Sequence, residues 1–550
     1  MQLSGAQILI EEIVRHKVKT VFGYPGGAVL DIYDELYKNS DRLNHVIAAH
    51  EQGAAHAADG YARVTGEVGL VIATSGPGAT NLVTGIANAY LDSVPLVAIT
   101  GNVAAALLGK DSFQEVDIVG ITQPIVKHNF SVRSVSELAD TIDNAFLLAN
   151  SGRKGPVLID IPKNIQRDTC EYIQGNAVNV NKPKHIPHAN FERALNAINN
   201  CKKPYIYCGG GVISANAENE VLELSKKISA PIGLSMMGLT AIPSDYELGL
   251  GMCGMHGKYA ASVAQSKADL MIAVGVRFSD RATGDIAAYT SQCTVIHIDI
   301  DEAELGKNLP EIIGLCGNAK DILTALLAEI DEKHNVQWLD TIRVDKEIDK
   351  PQIDEFFSPA NIIRTVREYT KDDTVIATDV GQHQMWVMQH YAFNKPRTLL
   401  TSGGLGTMGY GLGAAIGGCI ASGERTVLFT GDGSFGMNLT EMATAVSQNL
   451  PLTIILMNNG VLGMVRQWQG MFYAERYSST TLQRKTDYVA LAKAFGADGA
   501  VVTSLRELRA ILDSNLPNDM PFLIDCHIDM DEKVFPMIPP GSSVKDIRIR

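Results

Sequence analysis

The sequence predicts an α/β protein of three doubly wound domains, each built on a parallel sheet. Short β-branched runs are repeatedly followed by a glycine-rich turn and then by a stretch with helical periodicity. Examples are VGLVIATSGPGATN at 68–81, PLVAITGN at 95–102 and RTVLFTGDGSFGMN at 425–438. Apolar runs of this kind are typical of strands buried on both faces of a parallel sheet. A TIM barrel shares this local pattern, but the segmentation of the chain argues against a single barrel.

Two stretches interrupt the pattern and divide the chain. Residues 174–190 are polar and rich in Asn and Pro, and residues from about 343 to 358 are strongly charged. Both are interpreted as linkers between domains. They predict domains at 1–170, 190–342 and 358–550, a division that suits a chain of 550 residues.

Composition excludes several classes of function. The net charge of −14 argues against a general role in binding nucleic acid. The sequence lacks the run of about 20 apolar residues that a membrane-spanning helix needs. The first 16 residues contain glutamates where a secretory leader needs a basic flank and an apolar run, and the eight cysteines form no CxxC pair. We therefore expect a cytoplasmic protein with free thiols and no membrane or nucleic-acid partner.

The most specific motif is GDGSF at 431–435, which is followed by NN at 458–459. An apolar run precedes each motif, so each is expected at the carboxyl end of a strand, where α/β folds bind ligands. Asp432 offers a carboxylate, and Asn459 offers an amide oxygen 27 positions later. With a backbone carbonyl, assigned to Val461, and two phosphate oxygens, they would suit octahedral Mg²⁺. Read alone, GDG and NN could also be ordinary turns.

A second motif is HVIAAHEQGAAHAADGYAR at 45–63, which predicts a strand followed by a helix. Glu51 begins that helix in apolar surroundings. The helix dipole favours a carboxylate at this position, which is a sufficient structural reason for a glutamate. A catalytic carboxylate is the alternative, and this motif alone does not decide between them.

The GDG…NN spacing resembles the signature of thiamine-diphosphate enzymes. Essentially all 550 residues are similar to the catalytic large subunit of acetohydroxyacid (acetolactate) synthases. The resemblance implies domains of the pyruvate-oxidase type that bind, in chain order, the thiamine pyrimidine, FAD, and the diphosphate with Mg²⁺. It implies that pyruvate is decarboxylated and that the two-carbon unit joins a second pyruvate or 2-ketobutyrate, the first common step of branched-chain amino acid biosynthesis. FAD is structural in that family.

The resemblance also implies roles for residues of the first and third domains. Glu51 would bond the pyrimidine N1′ and promote the imine that takes the C2 proton. Gly27 would lie beside the reacting carbon, and Met408 would prop the cofactor in a bent shape. The other implied contacts are Pro77 and Asn81 for the pyrimidine, and Gly381, Gln382, His383, Gly433 and Ser434 around the diphosphate.

Two further segments, NNGVLGMVRQWQ and DSFQEVDIVGIT, resemble the anabolic members of the family. Met464 and Trp468 match the acceptor pocket, where the indole would form an apolar wall that favours 2-ketobutyrate over pyruvate. An extra methylene is worth about 1 kcal/mol or slightly more in such a pocket. Gln114 would lie near the reacting centre, contributed by a partner subunit. Arg281 would meet the carboxylate of the second substrate.

The middle domain carries the series IYCGGGVISANA, MCGMHG, AVGVRFSDRATGD and HIDIDEAELGKN. A repeated strand, glycine turn and helix is typical of a dinucleotide site, although GGG alone is a weak signal. The series resembles the FAD-binding domain of the family. The matching contact positions are Arg153, Gly209, Gly210, Met255, His256, Arg277 and Asp299.

Two other functions stay open at this stage. A pyruvate oxidase, or another thiamine-dependent lyase, would use FAD as a redox group; Gln114, Arg281 and Trp468 argue against it. A catalytically silent FAD- or nucleotide-binding regulator would not need the carboxylate and the metal-ligand pair together. The resemblance further implies a homodimer or homotetramer, in which Glu51 of one chain faces the diphosphate domain of its neighbour. It leaves room for a regulatory small subunit.

Overall fold

The computed structural model describes residues 1–176, 187–290, 292–350, 354–514, 516–517 and 519–549. Within these ranges the strands form three six-stranded parallel sheets and one two-stranded antiparallel pair. Helices alternate with the strands throughout. The predicted α/β class with three doubly wound domains is therefore confirmed, and the single barrel is excluded.

The N-terminal domain contains strands β1 to β8 and helices α1 to α8. The strands are β1 Gln2–Ser4, β2 Thr20–Tyr24, β3 Asn44–Ile47, β4 Gly69–Ala73, β5 Leu96–Asn102, β6 His128–Ser131, β7 Pro156–Pro162 and β8 Thr169–Glu171. The helices are α1 Gly5–Arg15, α2 Leu30–Lys38, α3 Glu51–Thr65, α4 Pro77–Asn81, α5 Val83–Leu91, α6 Ile118–Thr122, α7 Leu138–Asn150 and α8 Lys163–Arg167. The main sheet has the order β3-β2-β4-β5-β7-β6, and β1 pairs with β8.

The central domain contains β9 to β14 and α9 to α16. The strands are β9 Pro204–Cys208, β10 Ile232–Leu234, β11 Gly249–Met252, β12 Leu270–Val274, β13 Thr294–Asp299 and β14 Ile313–Cys316. The helices are α9 His188–Asn200, α10 Gly210–Ala215, α11 Glu218–Ile228, α12 Tyr259–Lys267, α13 Asp280–Thr283, α14 Ile286–Tyr289, α15 Ala319–Glu329 and α16 Val336–Ile348. The strand order is β11-β10-β9-β12-β13-β14. From β9 the chain adds strands first toward one edge of the sheet and then, from β12 on, toward the other edge. Dinucleotides bind at such a switch point in doubly wound sheets.

The C-terminal domain contains β15 to β20 and α17 to α24. The strands are β15 Ile376–Thr378, β16 Leu399–Leu400, β17 Thr426–Gly431, β18 Leu452–Asn458, β19 Asp498–Val502 and β20 Phe522–His527. The helices are α17 Pro359–Glu368, α18 Gln382–His390, α19 Tyr410–Ser422, α20 Asp432–Asn438, α21 Met442–Ser447, α22 Gly463–Phe472, α23 Tyr488–Ala494 and α24 Leu505–Asp513. The sheet order is β16-β15-β17-β18-β20-β19.

The first predicted linker, 174–190, lies partly outside the described residues, because 177–186 are not described. The part before that gap belongs to the N-terminal domain: Tyr172 N donates to Met1 O at 2.8 Å, and Gly175 N donates to Glu12 Oε1 at 2.9 Å. The chain therefore stays packed on this domain beyond the predicted end at residue 170.

The second predicted linker, about 343–358, is wrong at its start, and residues 351–353 lie outside the described part of the chain. Helix α16 continues through this region to Ile348. Trp338 and Ile342 on α16 are buried in the core of the central domain, and Trp338 Nε1 donates to Pro204 O at 3.0 Å. The charged segment that suggested a linker therefore begins inside a helix, and one side of that helix is buried.

Two further expectations concern composition. The eight cysteines, which all lie in described ranges, are free thiols as predicted. In the described ranges, every helix is too short or too polar to cross a bilayer.

Candidate active site

Loops after four strands of the C-terminal sheet line one cleft. They follow β15, β16, β17 and β18, and parallel strands bring their carboxyl ends to the same edge of a sheet. Ten residues singled out from the sequence line this cleft: Gly381, Gln382, His383, Met408, Asp432, Gly433, Ser434, Asn459, Val461 and Met464. Every described residue that lines the cleft belongs to the C-terminal domain. The cleft is thus built without Glu51.

Asp432 and Asn459 lie on neighbouring loops because β17 and β18 pair in register, with Gly431 opposite Met457. Asp432 is the first residue of α20 and is buried, and burial raises the pKa of its carboxyl to about 6. Asn459 Oδ1 accepts from Val461 N at 3.2 Å, and this bond orders the turn that contains Asn459 and Val461. A carboxylate, an amide oxygen and a backbone carbonyl form the oxygen set that Mg²⁺ prefers.

His383 has the features expected of a contact to a polar ligand. Its Nε2 atom is buried and has no hydrogen-bond partner among the described residues. Burial lowers the pKa of this imidazole to about 3, so the ring is neutral at pH 7. A Cβ on Gly431 would lie 3.0 Å from His383 Nδ1, which explains why glycine stands there. A buried polar atom without a partner is costly unless a bound group satisfies it.

Sequence reasoning missed Asp379, although its segment was singled out. Asp379 is buried, and its Oδ1 accepts from Gly409 N at 2.8 Å and from Val380 N at 3.1 Å. Its Oδ2 accepts from Thr430 Oγ1 at 3.2 Å. The Asp379 carboxylate, at the end of β15, therefore bonds both to Thr430 in β17 and to Gly409, the residue after Met408. Only contacts between distant segments reveal this role.

The predicted pyrimidine residues gather at the edge of the N-terminal sheet. Glu51 begins α3, is 8% exposed, and its Oε2 accepts from Asn81 Nδ2 at 2.9 Å. A Cβ on Gly78 would lie 3.1 Å from Glu51 Oε1, so the backbone after Pro77 passes close to the carboxylate. Gly27 is exposed, and open space surrounds the position of a Cβ there.

The loop that contains Gln114 follows β5 and packs on the same edge. A Cβ on Gly76 would lie 2.9 Å from Gln114 Cβ, and Gln114 itself has a positive φ of 60°. The preceding Phe113 is 88% exposed. Gln114 therefore lies beside the turn that leads into Pro77.

Two predicted acceptor residues from different domains meet in the structure. The Arg281 guanidinium lies over the Trp468 ring, 5.5 Å from the ring centroid. Trp468 also packs edge to face against Phe472, and its Nε1 is buried without a partner among the described residues. A cation over an indole face is attracted by the ring quadrupole. Arg281 and Trp468 can thus present a charge and an apolar wall side by side.

A segment after β20 contacts α22, the helix that carries Trp468, and was not singled out from the sequence. Gln382 Nε2 donates to Glu532 O at 2.7 Å, and Val534 N donates to Gln467 Oε1 at 2.9 Å. Farther along, Ile538 N donates to Met255 O at 2.8 Å. The C-terminal segment therefore ties the central domain to the cleft.

The predicted FAD positions divide between two places. Gly209, Gly210, Arg277 and Asp299 follow or end β9, β12 and β13 at the carboxyl edge of the central sheet. Gly209 leaves no room for a side chain, because a Cβ would lie 2.0 Å from Gly275 O. Burial raises the pKa of Asp299 to about 6. Four positions thus lie where a dinucleotide would bind.

The other predicted FAD positions lie at domain contacts. Arg153 comes from the N-terminal domain, and its Nη1 donates to Glu304 Oε1 at 2.7 Å. Met255 O accepts from Ile538 N of the C-terminal segment at 2.8 Å. His256 Nδ1 is buried without a partner in the described ranges, and burial lowers the pKa of that ring to about 4. These residues border the central edge and have polar atoms that a ligand could satisfy.

Comparisons with known proteins agree with this geometry. Three family models of thiamine pyrophosphate enzymes match the chain: the N-terminal TPP binding domain at 3–121, the central domain at 191–326 and the C-terminal TPP binding domain at 379–526. The fold and the cleft therefore define a thiamine-diphosphate-dependent enzyme.

Relatives give the particular family. The acetolactate synthase isozyme 2 large subunit of Escherichia coli is 44% identical over 544 residues, which cover 98% of each chain. The large subunit of Corynebacterium glutamicum is 43% identical over 566 residues, covering 100% of this chain and 90% of the relative. That of Buchnera aphidicola is 40% identical over 564 residues, covering 100% and 99%. The chain belongs to the acetolactate synthase large-subunit family.

Proposed function

We propose that this chain decarboxylates pyruvate and transfers the two-carbon unit to a second pyruvate or to 2-ketobutyrate, the first common step of branched-chain amino acid biosynthesis. One observation carries the proposal: the cleft unites the oxygen donors Asp432 and Asn459 with Met408 and with His383 Nε2, which has no hydrogen-bond partner among the described residues. A diphosphate with its cation needs such a set, and the N-terminal edge supplies the one carboxylate, Glu51, that the pyrimidine needs.

The cation site would use the side chains of Asp432 and Asn459 with the carbonyl of Val461. The diphosphate would then meet Gly381, His383 and the N-terminus of α20 at Gly433 and Ser434, where backbone N–H groups face an anion. Gln382 Nε2 is already bonded to Gln467 and Glu532 at 3.0 Å and 2.7 Å. Gln382 is therefore assigned to ordering the loop as well as to lining the site.

Bound thiamine diphosphate would supply an acidic C2–H, whose deprotonated carbon is a nucleophile for keto groups, and a ring that accepts the electron pair left by loss of CO₂. Glu51 would hold a proton at the pyrimidine N1′, and Asn81, bonded to Glu51 Oε2, would hold the carboxylate in place. Met408, in the C-terminal domain, would support the cofactor in its bent shape. Gly27, with open space beside it, would leave room for the reacting carbon.

Acceptor selection would fall to the pair Arg281 and Trp468. The guanidinium would bind the carboxylate of the acceptor, and the indole with Met464 would contact its alkyl group. Gln114 would approach from a second chain, as its exposed neighbour Phe113 suggests. The fully C-terminal lining of the cleft supports an assembly in which a neighbouring chain provides Glu51, so we propose a homodimer or a homotetramer.

FAD would bind at the edge of the central sheet, with Asp299 placed for the hydroxyl groups of a ribose and the glycines for a close approach to the diphosphate. Arg277 and Arg153 would add positive charge there. The unpartnered His256 Nδ1 fits a bound polar group. Since acetolactate formation includes no net oxidation, we propose that FAD is structural. We also propose that the chain can bind a regulatory small subunit.

The test uses the purified chain with thiamine diphosphate, Mg²⁺ and FAD, supplied with pyruvate alone and with pyruvate plus 2-ketobutyrate. We expect CO₂ release and acetolactate in the first case, and acetohydroxybutyrate in addition in the second. Reduction of the bound flavin by pyruvate, with acetate-level products, would favour the oxidase instead. The absence of CO₂ release with both cofactors and Mg²⁺ bound would favour a silent FAD-binding protein.

A further inference from the structure

Glu441 is a buried carboxylate that connects the C-terminal domain to the start of α3. It ends the short 3₁₀ turn Leu439–Glu441 that follows α20, and it is 1% exposed. Its Oε1 accepts from His50 N at 3.0 Å, and its Oε2 accepts from Ala49 N at 3.2 Å. The two residues that precede Glu51 are thus held by a side chain from another domain.

Two neighbours make this contact specific. Thr444 Oγ1 donates to Glu441 Oε2 at 2.6 Å and accepts from Ala49 N at 3.0 Å. A Cβ on Gly53 would lie only 2.1 Å from Glu441 Oε1, so the carboxylate occupies space that only glycine leaves open. This contact gives a physical reason for the glycine of the HEQGA motif. The function proposed above does not require it.

The contact fixes the first turn of a helix. Backbone N–H groups at a helix start have no partners within the helix and carry the positive end of its dipole. His50 is the N-cap of α3 and Ala49 precedes the helix, so the buried Glu441 carboxylate forms charge-assisted bonds with one N–H of the helix start and one just before it. Burial raises the pKa of Glu441, and its hydrogen bonds to Thr444 and to the backbone of Ala49 and His50 oppose that rise. Because Glu51 is the next residue, its backbone position depends on this anchor.

We propose that Glu441 is a positioning residue for Glu51: it sets the first turn of α3 so that the Glu51 carboxylate meets the pyrimidine at the correct place. The inference rests on the proposed role of Glu51. Glu441 itself touches neither cofactor nor substrate in this account, and it acts only through the backbone of Ala49 and His50.

The test compares Glu441→Gln and Gly53→Ala with Glu12→Gln as a matched control. Glu12 is a fully buried carboxylate on α1 that accepts from Gly175 N at 2.9 Å and from Tyr172 OH at 3.0 Å, away from α3. The amide of Glu441→Gln keeps the size of the side chain but faces two N–H donors with a single acceptor. Gly53→Ala leaves Glu441 intact and displaces its carboxylate.

Two measurements separate positioning from packing. In the cofactor-free protein, amide hydrogen exchange of the peptide 44–57 should become about tenfold faster in Glu441→Gln and should not change in Glu12→Gln, because a factor of ten corresponds to about 1.4 kcal/mol, near the low end for a hydrogen bond to a charged group. With thiamine diphosphate and Mg²⁺ bound, deuterium exchange at C2 of the cofactor should slow about tenfold in Glu441→Gln and Gly53→Ala, while cofactor affinity stays within about twofold.

The proposal is wrong if C2 exchange in Glu441→Gln matches that in Glu12→Gln while both variants lose similar thermal stability. If Gly53→Ala does not fold, Glu441→Gln decides the matter alone. Failure of the proposed function would look different: Glu51→Gln would then leave C2 exchange unchanged. In that case faster exchange of 44–57 in cofactor-free Glu441→Gln would still establish the anchor, and unchanged exchange would exclude it.

Discussion

The N-terminal and C-terminal domains share one topology and carry different chemistry. Numbered within each domain's main sheet, the strand order is second, first, third, fourth, sixth and fifth in both. In the N-terminal domain the loop after the second strand leads to Glu51. In the C-terminal domain the loops after the third and fourth strands carry Asp432 and Asn459. In the proposed function, the same scaffold would therefore offer a proton-handling carboxylate at one edge and a cation site at the other.

The helices that follow the second strands pack directly against each other. They are α3 and α19, and glycines bring their backbones close: a Cβ on Gly60 would lie 2.3 Å from Ala414 O, and a Cβ on Gly417 would lie 1.9 Å from Ala57 O. Equivalent elements of the two domains therefore meet within one chain. The comparison teaches that topology sets where loops lie, while the residues on those loops set the chemistry.

Removing the carboxylate of the N-terminal edge should have the largest effect. Glu51→Gln keeps the bond from Asn81 available but cannot take and give a proton. We expect kcat to fall about 10²–10⁴-fold, the range for a general acid–base group. Mg²⁺ and diphosphate binding at the other edge should persist. Near-normal C2 deuterium exchange in this variant, with Glu12→Gln as a folded control, would break the assignment.

Removing the Asp432 carboxylate from the C-terminal sheet edge should weaken cofactor binding rather than slow the reaction directly. Asp432→Ala deletes the carboxylate that would neutralise part of the Mg²⁺ charge, and we expect cofactor affinity to fall about 100-fold, with poor rescue by excess Mg²⁺. Asp160→Asn is the matched control, because burial also raises the pKa of Asp160 to about 6 but this residue lies in the N-terminal sheet. A cofactor titration with the same midpoint for Asp432→Ala and wild type would refute the cation site.

The choice of acceptor tests a contact between two domains, because we assign it to Trp468 of the C-terminal domain and Arg281 of the central domain. Trp468→Leu shortens the proposed wall, and the methyl of 2-ketobutyrate loses its contact while pyruvate loses little. We expect the preference for 2-ketobutyrate to fall about tenfold or more, because one methylene in an apolar pocket is worth about 1–3 kcal/mol. A competition assay scores the two products. An unchanged product ratio would make Trp468 a packing residue.

The smallest effect concerns pH at the C-terminal edge. Burial raises the pKa of Asp432 to about 6, so below that pH a proton competes with Mg²⁺ for the carboxylate. Affinity for the cation should therefore be full above pH 7 and should fall about fourfold by pH 5.5, from the titration of one group. Asp432→Asn cannot titrate at this position, so its weaker binding should depend less on pH across this range. Equal pH profiles for the two proteins would contradict the assignment.

Local patterns predicted most of the fold and the positions of the two proposed cation ligands. Apolar runs that end in glycine turns placed Asp432 and Asn459 at strand ends, because strand, turn and helix signals are local in sequence. The family resemblance, rather than spacing, supplied the roles of Glu51 and Arg281. The contact between Arg281 and Trp468 could be seen only in the structure.

What the sequence did not reveal depends on contacts between distant segments. Asp379 joins loops whose residues are up to 51 positions apart, and Glu441 reaches a backbone 391 positions away. No periodic pattern marks either residue. The error at the second linker has a different cause: charge on the outer face of α16 resembled a solvated connector, and only the burial of Trp338 and Ile342 shows a packed helix.

The central claim is that the carboxylate of one chain serves the cation site of another, and mixing two inactive variants tests it most directly. Glu51→Gln and Asp432→Ala chains are unfolded together, refolded as mixed dimers and assayed for acetolactate. If each site combines Glu51 and Asp432 from different chains, half of the sites in a mixed dimer are wild type. Random pairing should then restore about a quarter of full activity. If both residues act within one chain, no mixed dimer holds an intact site, and activity at the level of the unmixed variants would contradict the account.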